Sequence, residues 1–226
     1  MITRFEEPGR GHALRILPMV DEIMAEAGLS LRELGGIGVG VGPGAFTGVR
    51  ISVAVAQGLA FGADLKLLPV TSLEALALQA FEWPAAAGAA GAPGSVLACL
   101  DARMGELYWG YFRPDALRGV ATVGGLHVGK PEDVPSDLPT NRPADMAAAD
   151  AGAGGSAAIG RGMRILNARG TWVGRCDQMA LPRAEHIAKL AALRLALGEG
   201  IDPAQIVPVY LRDKVAFTEA ERAAAK

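Results

Sequence analysis

The densest grouping of residues able to do chemistry is the run Gly42-Pro43-Gly44-Ala45-Phe46-Thr47-Gly48. Read from Gly40, it fits G-x-G-x-x-A between an apolar strand and an apolar helix, where backbone amides can cradle a pyrophosphate. That fingerprint also needs an acidic residue at the end of the next strand to hold a ribose. Asp64 precedes the next strand, KLLPV, and Pro43 removes one amide. The reading that fits better is a close-packed strand-to-helix corner with a residual ability to seat an anion at the helix N-terminus. A P-loop is excluded, because no Gly-Lys-Ser/Thr follows. Asp101, Arg103 and Glu106 form a second grouping, on the turn before ELYWGYF. They suit orienting a phosphate or a metal-bound water, but a salt-bridged turn is favoured, because Asp bonds locally to turn backbone. His12, His127 and His186 are dispersed, with no second histidine at helical spacing, and are expected at the surface or at caps, not on a metal. No G-x-S-x-G elbow is present. A triad assembled in space is not excluded by spacing, yet no acid/base pair or nucleophile stands out.

The elements that hold these residues are legible from periodicity. Ile37, Val39 and Val41 alternate with Gly38, Gly40 and Gly42, so one strand face is β-branched and the other bare. Something must lie close against the bare face. Thr47 is the expected N-cap of a helix from about Val49 to Phe61, interrupted only by Arg50, Ser52 and Gln57. A helix apolar all round is buried on more than one side. At that length it is too short to cross a bilayer. One face is expected on its own sheet and the other on a partner. Upstream, Thr3–Glu6 suggests the end of a short strand, and a helix runs to Ala27 with Gly28 as its stop and Pro18 awkward within it. Ser30 and Glu33 form a capping-box pattern, as does the start of SLEALALQAF behind Thr71 or Ser72. Strand and helix alternate, which argues for α/β layers with parallel pairing.

Pro84–Gly94 (PAAAGAAGAPG) has no hydrophobic period and reads as a linker and domain boundary. Beyond it come a strand over Ser95–Leu100, a hairpin return over Glu106–Phe112, and another strand over Val120–Val128. Pro131–Pro143 reads as irregular, Ala144–Ala158 as mobile, and Ala158–Gly162 as a short strand and turn. An amphipathic helix spans Pro182–Gly198, followed by PVYLR and a polar tail over Thr218–Lys226.

At 226 residues and 50% apolar content the chain can bury one large core or two small ones. A formal charge of −2 is not that of a protein holding nucleic acid by itself. The two cysteines, Cys99 and Cys176, lie far apart, which argues against a disulfide framework or a cysteine metal site. No leader-like apolar run opens the sequence, so a reducing cytoplasm and no membrane association are expected.

Four stretches together resemble one known family. GVGPGAFTGVRISVAVAQGLAFG followed by LLPVTSLEALA is similar to the TsaB (YeaZ) signature GPGSFTGLRIG…KGLA…VSSLEALA. The helix GHALRILPMVDEIMAEAGL, the hairpin DARMGELYWGYF, and PVYLRDKVA after PRAEHIAKLAAL match in the same order. The resemblance covers most of the chain outside the linkers. It implies an ASKHA (actin and sugar-kinase-like) two-lobe α/β fold, divided here into residues 1–94 and 95–226. It also implies a non-catalytic activating subunit for TsaD, which makes N6-threonylcarbamoyladenosine at position 37 of ANN-decoding tRNAs, with TsaC and TsaE in the same pathway. On that view there is no intrinsic cofactor, ATP or ADP enters only within the complex, tRNA is met only through it, and the chain forms a homodimer when TsaD is absent.

The family's partner helices correspond to His12–Ala27 and Val49–Phe61, which carries the interface role onto Leu14, Leu17, Pro18, Val49, Arg50, Val53, Ala54 and Gln57. One departure stands out. The family pattern begins with strand-turn-strand, typically LAIDTS, ahead of the segment matching Thr3–Glu7, and this sequence lacks it. The expectation is a first lobe without its N-terminal β-hairpin, with an open sheet edge and with nucleotide binding there disfavoured. A misassigned start, a fragment, or an edge covered by another subunit would each account for it. Two other functions remain to be weighed: an ATP-dependent small-molecule kinase of the same fold, for which only Asp101 is suggestive, and an endopeptidase, for which no nucleophile or metal set is evident.

Overall fold

The structure is a computed structural model that describes residues 1–7, 11–84, 91–135, 155–169 and 175–212. Most of the expected linker, of the proline-rich stretch and of the second Ala/Gly-rich stretch, and all of the expected tail, lie outside the described residues.

The first unit contains α1 (His12–Ala27), β1 (Ile37–Gly40), α2 (Phe46–Ala63), β2 (Leu67–Val70) and α3 (Ser72–Phe81). β1 and β2 pair in parallel, in register from Ile37 with Leu67 to Gly40 with Val70. The second unit contains β3 (Ser95–Arg103), β4 (Glu106–Asp115), β5 (Gly119–Gly129), β6 (Ser156–Ile159), α4 (Met163–Asn167), β7 (Arg175–Asp177) and α5 (Ala184–Ala196). Its strands lie in the order β5-β4-β3-β6-β7, antiparallel through the hairpins and parallel from β3 to β7.

Alternation along the strands stacks these elements into five layers. Val39, Val41 and Leu67 face α2, meeting Val53, Ala56, Ala60 and Ala63. Leu68 and Val70 face the other way, onto α3 and α5, which meet Val96, Ala98 and Leu100 on the inner face of the larger sheet. Leu97 and Cys99, one residue out of phase, face Met163 and Leu166 of α4 on the outer side. Burial pushes the Cys99 thiol well above its ordinary pKa, so it packs as a small apolar group. The chain recrosses the division at residue 94: α5 and the stretch after it return to the first sheet.

The bare face of β1 does have a close neighbour. A Cβ on Gly38 would stand 2.6 Å from Ala191 Cβ, and one on Gly40 would stand 3.1 Å from Ile187 Cδ1, both on α5. The glycines of β1 therefore set how near α5 approaches. At the opposite edge of this sheet Pro69, which has no amide to offer a strand, gives its carbonyl to Arg194.

Local signals behave as expected at α3, where the Thr71 hydroxyl accepts from the Glu74 amide at 3.1 Å and Glu74 reaches back to the Thr71 amide at 2.8 Å. Gly28 closes α1 in the left-handed conformation. Four expectations change. Thr47 is not the N-cap: α2 begins at Phe46 behind Ala45, with no side-chain cap. The helix thereby reaches 18 residues, enough by length and composition to cross a membrane, yet its inner stripe belongs to the first core. Residues 3–6 do not form a strand. They are tied by side chains instead, Arg4 to Glu22 and Glu26 of α1, and Phe5 under the Arg183 guanidinium at 3.7 Å. Pro18 sits inside a continuous α1.

His186 is the fourth change. It is 4% exposed, wedged between α5 and the end of α3 with Nε2 3.3 Å from Glu82 Oε2 and Nδ1 without a hydrogen-bond partner. Burial holds its pKa below the ordinary 6.5, outweighing the pull of Glu82 and Glu185 and adding to the effect of Lys189. The unfolded chain then binds a proton that the folded chain resists. Stability is expected to fall as pH drops from 6.5 towards that lowered value. Urea midpoints at about pH 8 and about pH 5.5 would measure the fall. His186→Gln should shrink it, and an equal fall in that variant would assign the effect to other groups.

Candidate functional site

Two surfaces collect the residues singled out by the sequence. The first is the pair of helices α1 and α2. Leu14 is 85% exposed and Leu17 48%, both on α1, and Phe61 near the end of α2 is 59% exposed. Pro18, Arg50 and Ala54 are exposed as well. The other expected interface residues are engaged within the chain. Val53 is 6% exposed in the core beneath α2. Val49 is half-buried and packs near Gly42, and Gln57 donates from Nε2 to the Pro203 carbonyl at 2.8 Å. The carry-over of Val53 to the outer face is therefore corrected: its side chain points at β1. Along α1, Arg15 bonds Glu6 at 2.7 Å and Glu22 at 2.8 Å, which holds both carboxyls below their ordinary range.

The second surface is a cleft of about 750 Å³ between the two units. It brings together the loop Pro43–Phe46 and the turn Asp101–Met104, two groupings far apart in sequence. The loop is held from both sides: the Ser72 amide donates to Gly42 O at 2.7 Å, and the Val209 amide donates to Val41 O at 2.8 Å. Residues 209–212 then strap the cleft. Arg50 of α2 lies 3.8 Å over the Phe46 ring and donates from Nε to the Tyr210 hydroxyl at 2.9 Å. Arg212 pairs with Glu106 and donates to Met104 Sδ at 3.2 Å, so one short segment touches both walls.

On the turn, Asp101 Oδ1 accepts from the Arg103 amide at 2.7 Å. One carboxylate oxygen of Asp101 thus shapes the turn, and the other lies 3.7 Å from the Arg103 guanidinium. Met104 and Gly105 form a two-residue hairpin loop with φ 56° and 75°, and Arg103 has φ 67°. Methionine is a costly residue at a positive φ, roughly 1 kcal/mol or more. Met104→Asn is expected to raise the unfolding free energy by roughly 0.5 kcal/mol, asparagine being favoured there. Chemical denaturation would read it, and a destabilised variant would mean that the contact of Met104 with Arg212 outweighs the strain.

Arg161, Arg164, Tyr210 and Arg212 also line the cleft, and sequence reasoning did not single them out. Two signals were available: the glycines bracketing Arg161 at the end of an apolar strand, and the phrase PVYLR. Among the described residues no group of three His, Cys, Asp or Glu side chains is arranged to hold a metal ion.

Comparison with known proteins places this architecture. A family model described as "TsaD: tRNA N6-adenosine threonylcarbamoyltransferase" matches residues 6–129. The tRNA threonylcarbamoyladenosine biosynthesis protein TsaB of Escherichia coli (strain K12) is 35% identical over 221 residues, spanning 95% of this chain and 87% of that protein. TsaB of Haemophilus influenzae is 49% identical over 100 residues, 44% of this chain and 39% of that protein. A crystal structure from Pseudomonas aeruginosa, of a protein described as similar to peptidase YEAZ, superposes with TM-score 0.78 at 37% identity, covering 93% of this chain and 89% of that one. YeaZ from Pseudomonas aeruginosa superposes at TM-score 0.71 and 34% identity, covering 88% and 84%. The two-unit layering is that of the ASKHA-type fold, and the long match to TsaB extends through both units. The chain belongs to the TsaB (YeaZ) family of tRNA threonylcarbamoyladenosine biosynthesis proteins.

Proposed function

We propose that this protein is the non-catalytic activating subunit of a TsaD-containing complex that forms N6-threonylcarbamoyladenosine at position 37 of ANN-decoding tRNAs. The observation that carries this reading is the outer side of α1 and α2. α2 is apolar on every side but buries only Val53, Ala56, Ala60 and Ala63, and beside it α1 offers Leu14 and Leu17 to solvent. Exposed apolar side chains rimmed by ion pairs such as Arg15–Glu22 mark a protein-binding surface. The name carried by the relatives supplies the pathway. TsaD is the partner on this face, and a second copy of this chain takes its place when TsaD is absent. TsaC and TsaE act elsewhere in the pathway, tRNA is met only through the complex, and the chain works in the cytoplasm. ATP or ADP enters only with the assembled complex. The kinase alternative draws no support from Asp101, which is bonded to its own turn.

Light scattering on a size-exclusion column tests the proposal, with this chain alone and then mixed with TsaD from the same organism. A dimer mass alone and a one-to-one heteromer after mixing are expected. Separate elution at micromolar concentrations, with each protein folded, would overturn it.

A further inference from the structure

α1 carries half of the docking face, yet none of its described residues is fully buried. Ile16, Met19, Val20 and Ile23 are half-buried along one stripe, and the helix packs chiefly on α2. An element with so little buried area opens at low cost unless other contacts hold it. Those contacts come from residues 4–7, and they alternate. Arg4 reaches α1, pairing with Glu22 at 3.4 Å and with Glu26. Phe5 reaches the start of α5, its ring 3.7 Å beneath the Arg183 guanidinium. Glu6 returns to α1, where its carboxylate accepts from Nε and Nη2 of Arg15 at 3.0 and 2.7 Å. Glu7 accepts from Nη2 of Arg161, just before α4, at 2.7 Å. Alternation of this kind is the period of an extended chain. The even positions grip the helix and the odd positions grip the second unit. Each ion pair is partly exposed and holds little by itself. They act together, since Arg4 and Arg15 share Glu22. α1 is therefore held by a small margin, and losing one side of the grip shifts the balance.

We propose that residues 4–7 are a two-sided strap that fixes the pose of α1 against the second unit, which makes Phe5 and Glu7 positioning residues for the partner that docks on α1 and α2. The docking half of this inference rests on the scaffold reading; the strap itself belongs to the isolated chain.

The double variant Phe5→Ala, Glu7→Gln cuts the second-unit side of the strap and leaves Leu14, Leu17 and Ala54 untouched. Hydrogen exchange on the isolated full chain is expected to quicken roughly threefold or more over α1, while α3 exchanges as before. Raising sodium chloride from about 0.05 M to about 0.5 M should act on the parent in the same direction, since salt screens the pairs. Phe5→Tyr, which keeps a ring beneath Arg183, should behave as the parent does. Against TsaD, surface plasmon resonance is expected to show an association rate lowered roughly threefold and an unchanged dissociation rate, because only the correctly posed fraction of the chain can dock. Faster dissociation would make Phe5 and Glu7 direct contacts and overturn the positioning role. Unaltered exchange over α1 in the double variant would overturn the strap. Faster exchange with unaltered association would overturn the positioning role and leave the scaffold reading standing. A parent that does not bind TsaD would overturn the scaffold reading and the positioning role with it, while exchange in the isolated chain still decides whether the strap holds α1. If the double variant loses its fold, Glu7→Gln alone carries the test, since that carboxylate is half exposed.

Discussion

Leu14→Glu on α1 and Ala54→Glu on α2 are each expected to weaken association with TsaD by roughly a hundredfold, while leaving the unfolding midpoint of the isolated chain almost unchanged. Both positions are exposed, so a carboxylate there stays hydrated in the free subunit. In a complex that covers the helices the same carboxylate must shed its water against apolar side chains. Burying a charge without a partner costs several kcal/mol, and about 1.4 kcal/mol corresponds to a tenfold loss of affinity. Val53→Glu would be a misleading probe: Val53 packs with Ala56 and Val39 beneath α2, so its replacement unfolds the first unit before any interface is tested. Titration of TsaD against each variant by calorimetry, with thermal melts as the control, separates the two effects. Unaltered affinity in both variants would place the partner surface elsewhere.

Gly160→Ala is expected to give the largest loss of stability, roughly 3 kcal/mol or more, from two sources that add. Gly160 has φ 108°, a conformation that L side chains rarely adopt and that costs on the order of 1–3 kcal/mol when forced. A Cβ there would also stand 2.2 Å from the carbonyl oxygen of Cys99. Overpacking typically costs another 1–3 kcal/mol. The neighbour cannot retreat, because β3 is paired on both sides, by β4 and β6, and the Cys99 carbonyl also accepts from the Gly162 amide at 3.0 Å. The turn so held carries Arg161 and leads into α4 with Arg164, so Gly160 also positions two of the arginines that line the cleft. Urea unfolding measures the cost, and a variant within roughly 1 kcal/mol of the parent would mean that the turn has room to shift.

Several features were legible before any coordinates. The alternation of Val39 and Val41 with Gly38 and Gly40 announced a strand with one bare face, and α5 lies on that face because no side chain keeps it away. Thr71 and Glu74 announced the start of α3, since both partners of a capping box lie within one turn. The hairpin from β3 to β4 was visible because its two apolar runs flank a short polar turn. These are local signals, and the atoms that satisfy them lie a few residues apart. The family signature is local in the same sense, as a set of short segments in fixed order, which is why the two-lobe architecture could be expected from it.

The remainder depended on atoms distant in sequence. α2 is apolar on every side, so it has no amphipathic phase from which to read which residues face inward, and only β1 and β2 turn Val53 in and Ala54 out. α4 and β7 are too short for a hydrophobic period to show along the chain; in the fold Met163 and Leu166 of α4 cover the outer face of the larger sheet, and β7 pairs with β6. His186 looked like a surface histidine, and the fold of α5 onto α3 closed Glu82 over it. The cleft is the clearest case. Pro43, Asp101, Arg161 and Tyr210 are separated from one to the next by 58, 60 and 49 residues, and no periodicity relates them. The sequence by itself determined the kinship of this protein and most of its longer elements, including β1, α3, the β3–β4 hairpin and α5, because those rest on neighbours along the chain. Which face of α2 is exposed, and which arginines meet across the cleft, follow only from how the layers stack, because that stacking brings together side chains that no spacing along the chain connects.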